Sequence, residues 1–442
     1  MKAGLMVRVR QLTTAAHGHT IANRGCWSAD GASILYDLRD DETCFDSQAI
    51  ERVMVESGRV EQLYRSAHGA CCGVPTCSPV DDRYAFIHGD EHPDTEWQYC
   101  AWHRRGALGA TGRRGCAETL DARDIVAPYT AGALRGGTHL HTFNSDATAI
   151  LSTYEDHVLA TSVDPLAQPN RRALAVTLLD QPVVVPQSHR RNHDGLGFTV
   201  CVTPLSDAPR PGSDEILMAT GEAWVGRQQR IAFQATVRGD DGQPRVELYV
   251  VELPDNLREL LRPGDQPLAG TPRTRPGVPA AIRLRRLSDT SGRRFPGLAG
   301  PRHWAVSSPD GRQIGCYLRD DDGLVQFCTV PCDGGEPRLV TRGPHPPTSA
   351  FTWHPDGSKV TYVADGSVML VHVEDGRVER LTPRRPPATG PTHHGCVFSP
   401  DGSAIVFMQP AQTPAGRFNQ LHLVDCAKIP RGFTDHSRDD IC

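Results

Sequence analysis

"CVFSPDGSAIVFMQP", residues 396–410, decides how the rest of the chain is read. An apolar run ends at Phe398, and Ser399-Pro400-Asp401-Gly402 follows. Proline sets φ at the second turn position, the aspartate side chain caps nearby backbone N–H groups, and glycine takes the positive φ. Residues 403–407 then alternate, so the stretch predicts a β-hairpin. The phrase recurs as "CWSADGASILYDLRD" from Cys26, "TCSPVDDRYAFIHGD" from Thr76, "TFNSDATAILSTYED" from Thr142, "AVSSPDGRQIGCYLRD" from Ala305 and "FTWHPDGSKVTYVAD" from Phe351. Six copies make an internal repeat.

A second hairpin follows several copies, in "VMVESGRVEQLYRS", "TVPCDGGEPRLVTR" and "VHVEDGRVERLTP". Two hairpins give a four-stranded sheet of about 45 residues, the period of a propeller blade. A degenerate copy lies between residues 216 and 250, where "EAWVGRQQRIAFQATV" and "VELYVVELP" keep strand patterning without the Pro-Asp turn. The fold expected is therefore all-β: a seven-bladed β-propeller of four-stranded antiparallel blades, with almost no helix. It is expected to occupy residues 1–442 as one domain, with longer inserted loops between about 82 and 305. Residues 7–12 are expected to complete the last blade beside residues 420–424, which removes the free sheet edge.

The blade text resembles that of TolB-like β-propellers over nearly the whole chain. The phrases "AFIHGDEHPDTEWQYCAWHRRG", "LDARDIVAPYTAGALRGGTHLHTF", "PRPGSDEI", "EAWVG", "PRHW" and "RDDDGLVQ" are similar to an uncharacterised, mainly enterobacterial, TolB-like family. That resemblance implies the fold and little chemistry.

The composition, 38% hydrophobic and 22% charged over 442 residues, allows a large buried core. A net charge of -5 argues against a nucleic-acid footprint, and "RLRRL" and "TPRRPP" read as solvated surface. No stretch is long and apolar enough for a membrane span, and "MKAGLMVRVRQLTTAAHGHT" lacks the apolar core of a secretory signal. The cytoplasm is the compartment expected. The 14 cysteines contain no CxxC pair and read as free thiols, mostly small buried hydrophobes.

The innermost strand of each blade lines the axis, so polar residues on the strand before each turn matter most. His139 and His141 precede the third turn, Arg302 and His303 the fifth, His393 and His394 the seventh. Alternation would put His139 and His141 on one face, looking into an axial pocket with Arg135, His88 and His303. Such imidazoles can bind a divalent metal or move protons near neutral pH; equally, backbone carbonyls or channel water can satisfy them. The metal set expected is His139, His141 and His303, with Mn, Ca or Zn as the ion. The runs "FIHGDEHPDTEWQYCAWHRRG" and "SHRRNHDGLGF" read as part of a binding face, with Arg105, Arg190, Asn192 and His193 suited to holding a carboxylate or phosphate.

The text "SPVDDRYAFIHGD" is similar to that of oligogalacturonate lyases, seven-bladed propellers in which a histidine after the apolar pair is the general base and other histidines with a glutamine hold a divalent metal. The resemblance implies His88 as base and His139 or His141 as metal ligands. The nearest counterpart of the metal-binding run is "GPTHHGCVFSPDG", where the glutamine is absent and the histidine spacing differs. Chemically, an arginine or metal that neutralises a uronate carboxylate acidifies the adjacent C5 proton, and a neutral histidine removes it. Arg135 and Arg302 are the arginines assigned beside His88. Two functions follow: a carbohydrate-active, lyase-like propeller acting on a small anionic saccharide, or a non-catalytic propeller binding a protein or peptide on one face.

Overall fold

Each repeated turn folds as its residues dictate. The computed structural model describes residues 8–41 and 43–426. In the last copy the Gly402 N–H donates to the Ser399 carbonyl at 2.9 Å, and Asp401 Oδ1 accepts from the Ser403 N–H at 3.0 Å. Gly402 has φ +73°. The turns at Ser28 and Ser308 repeat this pattern through Asp30 and Asp310. In the third copy, where glycine is missing, Ala147 takes φ +55°.

Seven antiparallel sheets result. The second blade is Cys72–Cys77, Arg83–His88, Arg105–Ala110 and Ala117–Thr119. The third is Gly136–Phe143, Ala149–Asp156, Ala173–Leu178 and Phe198–Cys201, and the fourth Met218–Trp224, Arg230–Arg238, Pro244–Glu252 and Arg283–Arg286. The sixth runs from Thr352–Trp353 through Lys359–Ala364 and Ser367–His372 to Val378–Arg380. The first and fifth blades have three full strands each, with the inner position held by the bridges Trp27↔Ile34 and Ser307↔Ile314. The degenerate fourth copy is thus a complete blade.

The last blade mixes the two ends of the chain. Val9–Gln11 pairs with Gly416–Asp425, Val9 opposite Val424 and Gln11 opposite His422, and the Leu12 N–H donates to the Leu421 carbonyl at 2.7 Å. Val7, included in the expected closing strand, lies outside the described residues. Apolar side chains fill the seams between sheets: Leu151, Val176, Phe233 and Tyr249 join the third blade to the fourth, and Tyr36, Ile34, Val406 and Leu421 join the first to the seventh. Only two short helical turns, His157–Ala160 and Leu257–Leu261, occur among the described residues. No helix there is long and apolar enough to cross a membrane. Every described cysteine is a free thiol.

Candidate functional site

Inner strands of the second, third and fourth blades share a device that shapes the axis. Each carries one extra residue: Val74 and Pro75 oppose Phe86, Leu140 and His141 oppose Ser152, and Gly221 and Glu222 oppose Phe233. The first residue of each pair is left-handed, with φ of +57°, +57° and +63°. This is the geometry of a β-bulge, which bends the strand and re-aims its side chains. Alternation therefore fails between His139 and His141. Leu140 packs with Trp304 and Ala350, against Val74 and Val306, and plugs the axis.

His139 faces a cavity at one end of this plug. The cavity has two lobes that share His139, Pro301, Arg302 and Trp304. One lobe, about 290 Å³, adds Arg172, Glu222 and Gln234 from the third and fourth blades. The other, about 470 Å³, adds Arg39, Phe45, Tyr99, Arg104, His393 and His394. Among the described residues, four guanidiniums (Arg39, Arg104, Arg172, Arg302) and one carboxyl (Glu222) line the two lobes. Arg39 forks onto Asp37 at 2.7 and 2.9 Å, and Arg172 is held by Glu155 at 2.7 Å. The Arg302 guanidinium lies 4.9 Å from the Trp304 ring centre.

Neither ring nitrogen of His139 bonds to a described residue. Burial, then the charges of Arg104, Arg302 and Arg172, push its pKa well below the ordinary imidazole value, so the ring is neutral at pH 7. The neutral ring offers a nitrogen lone pair, and an anion bound to the guanidiniums would offset the charges that lower its proton affinity. Glu222, 1% exposed, is another unsatisfied group: neither carboxyl oxygen has a hydrogen-bond partner among the described residues. Sequence reasoning missed Glu222, Arg172 and Gln234. The available signal was Gly221-Glu222 on the strand before the fourth blade's turn, a carboxylate where a blade needs only small or apolar residues.

The other candidates do not converge on the axis. His141 turns into the seam between the second and third blades, its Nε2 2.9 Å from Thr138 Oγ1. There it sits 2.8 Å from where a Cβ on Gly106 would be, so glycine at 106 makes room for the ring. His303 packs on Tyr317, with Nδ1 2.8 Å from the Pro301 carbonyl and Nε2 accepting from the Tyr317 N–H at 3.4 Å. Burial lowers the pKa of His303 to about 4 and of His141 to about 3. His88 is buried on the second strand of its blade, Nε2 2.9 Å from Tyr64 Oη and Nδ1 on the Gly89 carbonyl. Arg135 is fully buried on Asp156 and donates to the Thr271 and Thr274 carbonyls, pinning residues 271–274 against the third blade. The expected axial convergence of Arg135, His88, His141 and His303 is therefore corrected: of the expected catalytic and metal residues, only His139, Arg302 and, at one edge, His303 line the cavity.

Arg105, Arg190, Asn192 and His193 do come together, at a separate recess of about 330 Å³ with Asp90, Glu91, His92 and Arg191. Asp90 bridges Arg105 at 3.0 Å and Arg123 at 2.6 Å, and Glu91 takes Arg105 at 3.0 Å. Arg191 donates to the Glu91 and His92 carbonyls, and Arg190 pairs with Asp94. Asn192 spans Asp124 at 2.9 Å and the Ile125 N–H at 3.1 Å. The buried Nε2 of His193 has no hydrogen-bond partner among the described residues. Burial and then Arg123 and Arg105 lower its pKa.

Fold and cavity together define a seven-bladed propeller with a cationic axial pocket. Residues 71–193 match a family described as a protein of unknown function, DUF3748. The uncharacterized protein YidR of Escherichia coli (strain K12) is 39% identical over 405 residues, 91% of this chain and 95% of that protein. The chain belongs to this family. Among solved structures it is similar to an oligogalacturonate lyase in complex with manganese (TM-score 0.59, 13% identity, covering 96% of this chain and 94% of that one). An oligogalacturonate lyase from Vibrio parahaemolyticus is similar at TM-score 0.52 and 11% identity, with the same coverage of both chains. These likenesses are of fold.

The residues present do not fit a divalent ion as expected. Among the described residues no group of three or more His, Cys, Asp or Glu side chains could hold a metal. His141 and His303 spend ring nitrogens on protein partners, and a bulge separates His139 from His141.

Proposed function

We propose that this propeller is a lyase for a small uronate-containing saccharide, with His139 as general base and guanidiniums in place of a metal. The observation that carries the reading is the free His139 imidazole, kept neutral in a cavity that it shares with Arg302 and Arg104. Arg302 and Arg104 pair with the uronate carboxylate, which lowers the acidity barrier at C5. His139 then takes the C5 proton and the C4 oxygen leaves by β-elimination. The shared fold with oligogalacturonate lyases supports this reading. Arg104, 9% exposed, meets the Tyr99 side chain and keeps a buried Nε with no hydrogen-bond partner among the described residues, which supports a role in holding the carboxylate. The test is incubation with defined uronate oligosaccharides, following the conjugated double bond of the unsaturated product by ultraviolet absorbance after the protein has been treated with chelator. Metal-independent product formation lost in His139→Ala supports the reading; no product from any uronate, or full activity in that variant, overturns it.

A further inference from the structure

The two lobes of the axial cavity differ in chemistry. Arg104 and Arg39 belong to the larger lobe, Glu222 and Gln234 to the smaller, and His139 with Arg302 stands at the junction. Both volumes are in or near the range of small-molecule sites. Glu222 follows the left-handed Gly221 at the bulge and is buried on the wall of the smaller lobe. Its carboxyl oxygens have no hydrogen-bond partner among the described residues, although Arg24 reaches the same residue and donates to its backbone carbonyl instead. A buried polar group left unpaired in a native fold needs a reason, and a ligand that completes its hydrogen bonds is one.

We propose that Glu222 is the proton donor to the leaving oxygen, and that the substrate is an oligosaccharide with its uronate in the larger lobe and its leaving sugar in the smaller one. The assignment rests on the lyase reading above. His139 takes the C5 proton; the C5–H electron pair becomes the C4=C5 bond; the C4–O bond breaks with its pair on oxygen; the Glu222 O–H proton goes to that oxygen. An unsaturated uronate and a sugar hydroxyl are formed, and both side chains re-equilibrate with water. The charge environment agrees. Burial raises the proton affinity of Glu222 against the opposing charges of Arg24, Arg172 and Arg302, while His139 is displaced the other way. Titratable groups pushed apart in this manner supply an acid and a base at one pH.

The experiment compares Glu222→Gln and His139→Ala on two substrates: an oligouronate with a sugar leaving group, and a uronate with a nitrophenyl ether at C4, whose leaving group departs without a proton. Glu222→Gln is expected to lose about 100-fold or more on the first and to stay within about 5-fold on the second, as general-acid assistance requires. His139→Ala is expected to lose both. Equal losses on both substrates in Glu222→Gln, or none, overturn the assignment and leave the lyase reading standing. A wild-type protein inactive on both overturns the two together. If Glu222→Gln does not fold, infrared spectra of the wild type and Glu222→Asp at pH 7 decide: a protonated carboxyl band that shifts in the variant supports the assignment, and its absence overturns it.

Discussion

At the rim recess, Asp90 is bonded to Arg105 and Arg123, Glu91 to Arg105, and Asp94 to Arg190 and Arg191. At the axis, four guanidiniums and one carboxyl line the cavity among the described residues, Arg39 and Arg172 are tied to Asp37 and Glu155 outside it, and neither ring nitrogen of His139 bonds to a described residue. Both regions are crowded with arginine and histidine, and in sequence both read as binding surfaces. The difference is in pairing. At the rim the ion pairs hold loops together; at the axis Arg39 and Arg172 are paired likewise with Asp37 and Glu155, while Arg104 meets the neutral Tyr99, and the proposed ligand would meet Arg104 and His139. Even neighbouring residues divide this way, since Arg104 lines the axial cavity and Arg105 the rim.

Two substitutions break this comparison hardest. His139→Ala is expected to lower kcat on uronate substrates about 10²- to 10⁴-fold, the contribution of a general base, with an unchanged melting temperature. Asp90→Ala is expected to do the reverse. It is 5% exposed at the side chain and anchors Arg123, itself almost fully buried, so its loss strands a buried cation at a cost of about 3 to 5 kcal/mol. Denaturant unfolding would show that loss while kcat of the folded protein stays near wild type. A stable Asp90→Ala protein without activity would move the site from axis to rim.

Acid should separate the buried imidazoles from the ion-paired carboxylates. His19, whose Nδ1 lies 2.9 Å from the Asn419 carbonyl, and His303 are buried with pKa values lowered to about 4, and His141 to about 3, against 6.5 unfolded. The unfolded chain then binds more protons than the folded one below pH about 6.5, so stability falls as pH drops from there towards 4. Asp90 behaves differently: burial would raise its pKa, but Arg123 and Arg105 outweigh this and hold it far below the usual carboxylate range. Its contribution is full above pH about 3.8 and is lost progressively as pH falls from there towards its lowered pKa. Melting temperatures across pH 4 to 7 should therefore decline first through the imidazoles, and His303→Phe should flatten that slope. A flat profile in the wild type would contradict the neutral-imidazole account.

How much of this could be read from the residues follows from which physics is local. The Ser-Pro-Asp-Gly turns are local, so the repeat, the blade count and the closure by both chain ends were all present in the text. The side-chain direction of His141 is not. Alternation assumes one residue against one, and Leu140 takes a left-handed conformation that glycine ordinarily fills, so no turn residue marks the bulge. Glu222 was hidden for a related reason: its blade lacks the Pro-Asp turn, so the strand before it drew no attention. Pairing is the least local property of all. Nothing in "SHRRNHDGLGF" says that Arg191 meets the carbonyls of Glu91 and His92.

The smallest expected effect lies at the outer edge of the rim. Arg190 is 61% exposed at its side chain and meets Asp94, which also accepts from Arg191 at 3.2 Å. An exposed pair gives up side-chain entropy for a screened attraction and contributes little. Asp94 moreover keeps the Glu96 and Trp97 N–H groups, each at 2.9 Å, whether or not Arg190 is present. Arg190→Ala should thus leave the melting temperature, kcat and KM within error of wild type, in low salt as in high. The measurement that matters is titration with a uronate oligosaccharide by calorimetry. If this variant alone loses binding, Arg190 reaches a ligand when one is present, and the rim recess, with the buried His193 Nε2 beside it, is a binding site in its own right rather than a clasp between loops.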